Sequence, residues 1–167
     1  MSEKILLRAR QSSFWRAILN LLLNRLIPFN RPHGFTIEKL GDNFLQIRLP
    51  YRRSNFNHIK GLHACALATL AEFTTGFMLV QKLDARKYRL IMKKLEMMYH
   101  FQGKSDAFAR FEITNNWLDD NVIKPLQNQE AVEVICEVPV YDIQQNHLAT
   151  GKVCWHIKSW SAVKTKV

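Results

Sequence analysis

Glu72 is the residue of this sequence with the clearest capacity for chemistry. Between His63 and Lys82 it is the only residue expected to carry a full charge, and its neighbours there are mostly apolar or small. A carboxylate in such surroundings can attack a carbonyl carbon or activate a water molecule as a general base. The ordinary alternative is a structural carboxylate paired with an Arg or Lys.

The stretch that holds Glu72 is predicted to be a helix. From about Leu62 to Leu83 it is too long for a strand, is rich in helix-compatible Ala and Leu, and is apolar nearly all round, so it should be buried on most sides. The first amides of a helix have no intrahelical acceptor and lie at the positive end of the macrodipole. The backbone N–H groups of Ala64 and Cys65 are therefore candidate oxyanion donors, each typically contributing about 3 to 4 kcal/mol to a transition state.

The donor amides at the start of a helix and the Glu72 carboxylate of that same helix are too far apart to contact one substrate carbonyl group. Eight residues separate Ala64 from Glu72, which corresponds to about 12 Å along a helix axis. An antiparallel helix from a second subunit would bring its N-terminus beside the carboxylate. The spacing therefore predicts a homodimer with shared sites, and it leaves open the pairing of two dimers into a tetramer.

Several polar residues near this helix are candidates for substrate contact. Asn57 precedes the helix and either orients substrate or stabilises a turn. His63 and Gly61 lie at the helix entry, where a His is more often a capping residue than a proton carrier, so we assign His63 no catalytic step. Thr75 either holds a water molecule near Glu72 or bonds back to helix carbonyls.

The elements around the helix are predicted from period-two alternation and turn residues. A hairpin is expected over residues 35–49 with its turn at Gly41, strands are expected at 88–101, 107–114, 131–141 and 147–160, and a loop or short helix surrounds Pro125. One buried helix with these strands is an α+β arrangement in which an antiparallel sheet covers the helix. We expect a single domain over residues 31–167.

Residues 1–30 are predicted to form an amphipathic helical extension. Apolar residues recur at helical spacing and the helix should end before Pro28, while four arginines interrupt the run, so a transmembrane helix is not predicted. The segment also lacks a small-residue signal-peptide cleavage site. Two interpretations remain: the helix packs on its own domain, or it lies on an anionic membrane surface.

The net charge indicates the kind of partner, and the cysteines indicate the cellular compartment. A formal net charge of +10 on 167 residues suggests a polyanionic partner, which is nucleic acid, an anionic membrane or a phosphorylated small molecule. Cys65, Cys136 and Cys154 form no CxxC pair, so neither a disulfide framework nor a metal site is predicted. A reducing cytoplasm is the expected location.

From about Gly34 to Trp160 the sequence resembles the hotdog-fold acyl-CoA thioesterases, particularly their phenylacetate-pathway branch. That branch opens its helix with His-Gly-Gly, has an Asn six residues before the His, and has an Asp or Glu nine residues after it. Asn57, His63 and Glu72 stand at those spacings. The two glycines are replaced by Ala64 and Cys65, and no Ser or Thr in residues 89–94 matches the hydroxyl found in some relatives.

The resemblance implies a hotdog fold, in which a sheet wraps one long central helix, and thioester hydrolysis with Asn57, Glu72 and the helix amides in the site. The substrate would be an acyl-CoA or an acyl-carrier thioester, with CoA as part of the substrate and no separate cofactor. Basic residues that are otherwise solvated surface would bind the CoA phosphates: Arg52, Arg53, Lys60, Lys93 and Lys94. The alternatives are a non-catalytic acyl-CoA-binding hotdog protein and a basic nucleic-acid-binding module. Nucleic acid is not the expected partner, because no recognisable RNA- or DNA-binding motif is present.

Overall fold

A six-stranded antiparallel sheet wraps around one long helix in the computed structural model, which describes residues 3–163. The helices are α1 (Glu3–Gln11), α2 (Ser13–Leu26), α3 (Ala64–Lys82) and α4 (Asn115–Leu118). The strands are β1 (Thr36–Leu40), β2 (Phe44–Leu49), β3 (Tyr88–Tyr99), β4 (Ala107–Glu112), β5 (Ala131–Asp142) and β6 (His147–Ser159). The predicted hotdog architecture and the predicted strands are confirmed.

The sheet has the order β1-β2-β4-β5-β6-β3, with every neighbouring pair antiparallel. Inward-facing side chains of β2, β4, β5 and β6 alternate with outward ones, so one face of the sheet is apolar and covers α3. The strands at the two edges are β1 and β3. Because β3 pairs only with β6, its other edge is free of strand partners within residues 3–163.

The central helix α3 is the core of the domain. Most of its residues from Ala66 to Leu79 are buried, in agreement with a sequence that is apolar nearly all round. By length and composition alone this helix could cross a membrane, but most of it is covered by the rest of the domain. The apolar run is therefore explained by the sheet that surrounds it.

The N-terminal extension consists of two helices, not the single helix that we predicted. Ser12 separates them in an extended conformation, with φ −134° and ψ 127°, and stands at the N-cap of α2. The Ser12 side chain makes no capping hydrogen bond, so the break rests on the low preference of serine for a helix interior. As predicted, α2 ends before Pro28.

The segment between β4 and β5 fills an opening in the sheet. The two strands pair over only three residues, from Ala107 to Ala109, and the next partner on β5 would be Pro139, which has no N–H to donate. α4, a π-helical turn at Asp119–Ile123 and a 3₁₀ turn at Pro125–Gln127 follow β4. Leu118 and Val122 of this segment are buried in the core.

Candidate functional site

Glu72 lies in the wall of an apolar groove of about 320 Å³. Its carboxylate has no ion pair and no hydrogen bond among the side chains of the described part of the chain. Partial burial raises the pKa of Glu72 above its ordinary value, because desolvation disfavours the charged form. An unpaired carboxylate with these properties is a candidate base or nucleophile, and the structural pairing with Arg or Lys is absent from residues 3–163.

The groove is formed by four elements of the fold. Helix α3 contributes one wall and α2, β3 and β6 contribute the others. The lining residues are Leu23, Leu26, Ile27, Glu72, Phe73, Gly76, Phe77, Val80, Leu90 and Trp155. Glu72 is the only ionisable side chain among them, so the groove suits an apolar ligand with a polar group near one point of its length.

The floor of the groove is set by Trp155 and two residues of α3. The Trp155 indole Nε1 donates a 3.1 Å hydrogen bond to the Thr75 hydroxyl. A Cβ atom at Gly76 would lie 2.6 Å from the Trp155 ring, so glycine allows the indole to rest against the helix. The Thr75 hydroxyl also bonds back to the carbonyls of Ala71 and Glu72 at 3.1 Å each and is fully buried. In this structure Thr75 therefore positions Trp155, and the water molecule predicted for it would need one of these partners to move.

At the start of α3 the predicted oxyanion donors differ from one another. The His63 ring accepts a 3.1 Å hydrogen bond from the Cys65 amide through Nδ1, so the Cys65 amide is already satisfied. This is the capping role expected for His63. The Ala64 amide makes no hydrogen bond within residues 3–163, and Ala64 is exposed. Ala64 is thus the available donor in the resting structure, and the Cys65 amide becomes available only if the His63 ring turns away.

Tyr99 reaches the same helix end from the edge strand β3. Its hydroxyl donates a 3.0 Å hydrogen bond to the Ala64 carbonyl. Partial burial, followed by the nearby Cys65 thiol, raises the pKa of Tyr99, so the phenol stays protonated at neutral pH. Sequence reasoning missed this residue, because the contact joins positions 35 apart and no local pattern announces it.

Asn57 and Gly61 shape the loop that leads into α3. The Asn57 side-chain oxygen accepts hydrogen bonds from the amides of Ile59 at 3.1 Å and Gly61 at 2.9 Å. Lys60 has a left-handed backbone with φ 58°, as the tight turn requires. Asn57 therefore stabilises the turn in this structure, and its amide nitrogen has no partner within the described chain. Its contact with substrate stays a prediction.

The five basic candidates lie on two separate elements. Lys93 and Lys94 of β3 form ion pairs with Glu133 at 2.6 Å and with Glu96 at 2.8 Å. Arg52, Arg53 and Lys60 lie in the loop before α3 and are exposed. Arg52 donates to the backbone carbonyls of Arg31 and Pro32.

The three basic residues of the loop differ from Lys93 and Lys94 in having no acidic partner among the described residues. Among the described residues no carboxylate pairs with Arg52, Arg53 or Lys60. The loop also leads directly into the N-terminus of α3, where the candidate donor amide lies. These three residues are therefore better placed than Lys93 and Lys94 to bind an anion near the site.

The contribution of α2 to the groove was not predicted from the sequence. Leu23 and Leu26 of α2 line the groove, together with Ile27 directly after the helix. The helical recurrence of apolar residues in this segment was visible, but it does not say against which element the helix packs. The structure thus makes the N-terminal extension part of the candidate site.

Comparisons with known proteins identify the family and the fold. The model of a family described as "Domain of unknown function (DUF4442)" matches residues 16–157. No curated protein matches the chain. Several solved structures match over nearly their whole length. Their sequence identities to this chain are low, so the matches show the fold and not the function.

Three of these structures illustrate the likeness. PA5026 from Pseudomonas aeruginosa, described as a "Probable Thioesterase", is 22% identical with a TM-score of 0.78, and the alignment covers 86% of this chain and 95% of that one. The thioesterase HI1161 from Haemophilus influenzae is 12% identical with a TM-score of 0.68, covering 89% and 94%. A mutant of the thioesterase SAV0944 from Staphylococcus aureus is 13% identical with a TM-score of 0.63, covering 78% and 98%.

Proposed function

This chain belongs to the DUF4442 family and has the hotdog fold, and from that premise we propose that it is an acyl-CoA thioesterase. The observation that carries the proposal is the unpaired, partly buried Glu72 carboxylate in the wall of an apolar groove. The spacing of Asn57, His63 and Glu72 resembles that of the phenylacetate-pathway branch and supports the proposal that the chain is related to it. Thioesterases among the solved structures of the same fold support the reaction class.

The reaction assigns one task to each group. Glu72 either attacks the thioester carbonyl carbon or removes a proton from the water that attacks it. The carbonyl oxygen becomes negative and accepts a hydrogen bond from the Ala64 amide of the other subunit. When the carbon–sulfur bond breaks, the CoA thiolate leaves and takes up a proton. If Glu72 is the nucleophile, water then hydrolyses the anhydride between the acyl group and Glu72, so both routes end in a carboxylic acid and a free Glu72. The raised pKa of Glu72 makes it a stronger base than an exposed carboxylate.

Two subunits are required because Ala64 and Glu72 lie about 12 Å apart along one helix.

The free edge of β3 offers a place for the second copy. Large apolar side chains along this strand are exposed, namely Ile91, Met92, Met98 and Tyr99. At the opposite edge, the side chain of Asn20 on α2 bonds to the backbone of Ile37 on β1. Antiparallel pairing of two β3 strands would bury the apolar edge and set the two α3 helices side by side.

The substrate is assigned by the groove and the loop before α3. A volume of about 320 Å³ lies at the small end of ligand pockets, which hold roughly 300 to 1,000 Å³, so the acyl group is of modest size. The phosphates of CoA would meet Arg52, Arg53 and Lys60, whose charges no carboxylate neutralises among the described residues. Lys93 and Lys94 are weaker candidates because each already has a carboxylate partner.

A second candidate function is acyl-CoA binding without hydrolysis. The observation that favours it is the hydrogen bond from the Cys65 amide to His63, which leaves one free donor amide where the thioesterase motif has a glycine pair. One oxyanion donor in place of two typically lowers turnover by about 10²- to 10³-fold. Binding would survive this loss.

A panel of acyl-CoA thioesters tests the two functions together. Release of free thiol shows hydrolysis, and the shift of the unfolding temperature by CoA shows binding. Turnover of at least one thioester well above the uncatalysed rate is the expected result. A thermal shift by CoA with no turnover across the panel supports the binding protein instead. Tight binding of short RNA at physiological salt with no effect of CoA overturns both.

A further inference from the structure

Helix α2 has two apolar faces, and only one of them contacts the domain. Leu19 and Leu23, one turn apart, are buried against the core. The side-chain amide of Asn20 accepts a 2.8 Å hydrogen bond from the Ile37 amide and donates a 3.4 Å bond to the Ile37 carbonyl. These contacts fix the rotation of α2, so its outward face is defined by the fold.

That outward face carries large apolar side chains in a row. Phe14, Leu21, Leu26 and the following Phe29 are between 67% and 71% exposed, and we call these four residues the N-terminal apolar row. Phe14 and Leu21 are seven residues apart, so they lie on one line of a helix with 3.6 residues per turn. Leu26, seven residues after the buried Leu19, is on the inward side of α2 and is exposed at the helix end, where it lines the groove. Exposed apolar residues that gather on one element mark an interaction surface, whereas scattered ones do not.

The charge around the row indicates the partner. From residue 4 to residue 37 the sequence contains six Lys and Arg residues and no Asp or Glu. Four of the six are exposed: Lys4, Arg8, Arg25 and Arg31. A protein partner of ordinary composition needs no such one-sided charge, but a surface of anionic headgroups over an apolar interior complements both features.

We propose that the N-terminal apolar row docks on an anionic phospholipid membrane. The 14 residues of α2 would lie in the plane of the interface, with Phe14, Leu21 and Phe29 among the acyl chains and Arg25 at the headgroups. Leu26 belongs to both the row and the groove lining. Docking therefore brings the rim of the groove to the lipid surface.

Vesicle co-sedimentation of the full chain tests the proposal. Vesicles of phosphatidylcholine alone are compared with vesicles that also contain phosphatidylserine. The chain is expected to bind the anionic vesicles, and Phe14→Ser combined with Leu21→Ser should weaken that binding at least about tenfold. Ile135→Ser is the matched control, because Ile135 is equally exposed at 67% but lies on β5, away from the row. The control should bind as the wild type does.

Three outcomes overturn the proposal. The first is an absence of wild-type binding to anionic vesicles, and the second is equal binding by the double variant and the wild type. The third is a double variant whose mass in light scattering falls below that of the wild type, which would show that the row is an interface between copies. Thermal unfolding of each variant shows that the comparison is made between folded proteins.

Discussion

The Trp155 indole lies against α3 at Gly76 and is held there by a 3.1 Å hydrogen bond to the Thr75 hydroxyl. Both partners are buried, and Thr75 is one turn from Glu72. The bond joins β6 to the helix that carries the candidate base. The floor of the groove is therefore fixed by a contact that also holds the sheet to the helix.

Replacing Thr75 with Val should destabilise the protein. The variant keeps the shape but leaves the buried Trp155 N–H without an acceptor, which costs about 1 to 3 kcal/mol of unfolding free energy. Urea unfolding measures the loss. Thr69→Val is the control, because Thr69 also bonds back to a helix carbonyl but makes no hydrogen bond to a second side chain among residues 3–163. Equal losses in the two variants would show that the Trp155 bond adds nothing.

The elements of this fold are predictable from the sequence where local pattern decides them. The apolar run around Glu72 exceeds strand length and therefore indicates α3. In residues 131–141 every second residue is Val or Cys, which indicates a half-buried strand. The break at Ser12 was not predicted, because the apolar recurrence continues past it and the serine signal is weak. The local sequence pattern thus predicts helices and strands better than it predicts breaks within them.

The candidate site is predictable only in part, for a different reason. The spacing of Asn57, His63 and Glu72 indicates the helix entry and the carboxylate, because those relations lie within one stretch of chain. The contacts of Tyr99 with Ala64 and of Leu26 with the groove depend on how distant elements pack. No periodicity encodes such packing, so the walls of the groove appear only in the structure.

Filling the groove should change the preferred acyl length. Val80 lines the groove two turns beyond Glu72, about 12 Å along α3. Val80→Trp should lower kcat/KM at least tenfold for acyl chains long enough to reach this point and leave short chains nearly unaffected, because only long chains meet the indole. The acyl-CoA panel measures the profile.

Ile143→Trp is the control for the groove variant. Ile143 is exposed in the turn between β5 and β6 and does not line the groove. Its substitution should leave the profile of acyl lengths unchanged. A uniform loss across all lengths in Val80→Trp would mean that the acyl group lies elsewhere.

The charge of Glu72 should cost stability as the pH rises. Burial raises the folded-state pKa of this carboxyl above its ordinary value of 4.5, so the folded protein keeps the proton longer than the unfolded chain. Stability is therefore lost as the pH rises from the unfolded pKa through the folded one. Thermal unfolding should show wild type and Glu72→Gln alike in acid, with the variant more stable at neutral pH. A wild type that is the more stable at neutral pH would reveal a favourable partner for the carboxylate.

Glu72→Gln should abolish most thioester hydrolysis while leaving the fold intact. The amide keeps the shape of the side chain but can neither attack the carbonyl nor accept the proton, so kcat should fall at least about 100-fold. CoA should still shift the unfolding temperature, because Arg52, Arg53 and Lys60 are untouched. Unchanged turnover would exclude Glu72 from the reaction, and loss of folding would make it a structural residue.

Mixed dimers test the assignment of Ala64 and Glu72 to different subunits. The two residues lie about 12 Å apart on one helix, so the proposed mechanism requires each site to take its amide from one chain and its carboxylate from the other. Dimers of Glu72→Gln alone and of Ala64→Phe alone should both be inactive, the second because a bulky side chain covers the amide. Mixing the two chains gives a dimer in which one site carries both defects and the other carries neither. Recovery of about half the wild-type turnover per mixed dimer is expected in a thiol-release assay, whereas a mixture as inactive as its parents would place both groups in one chain.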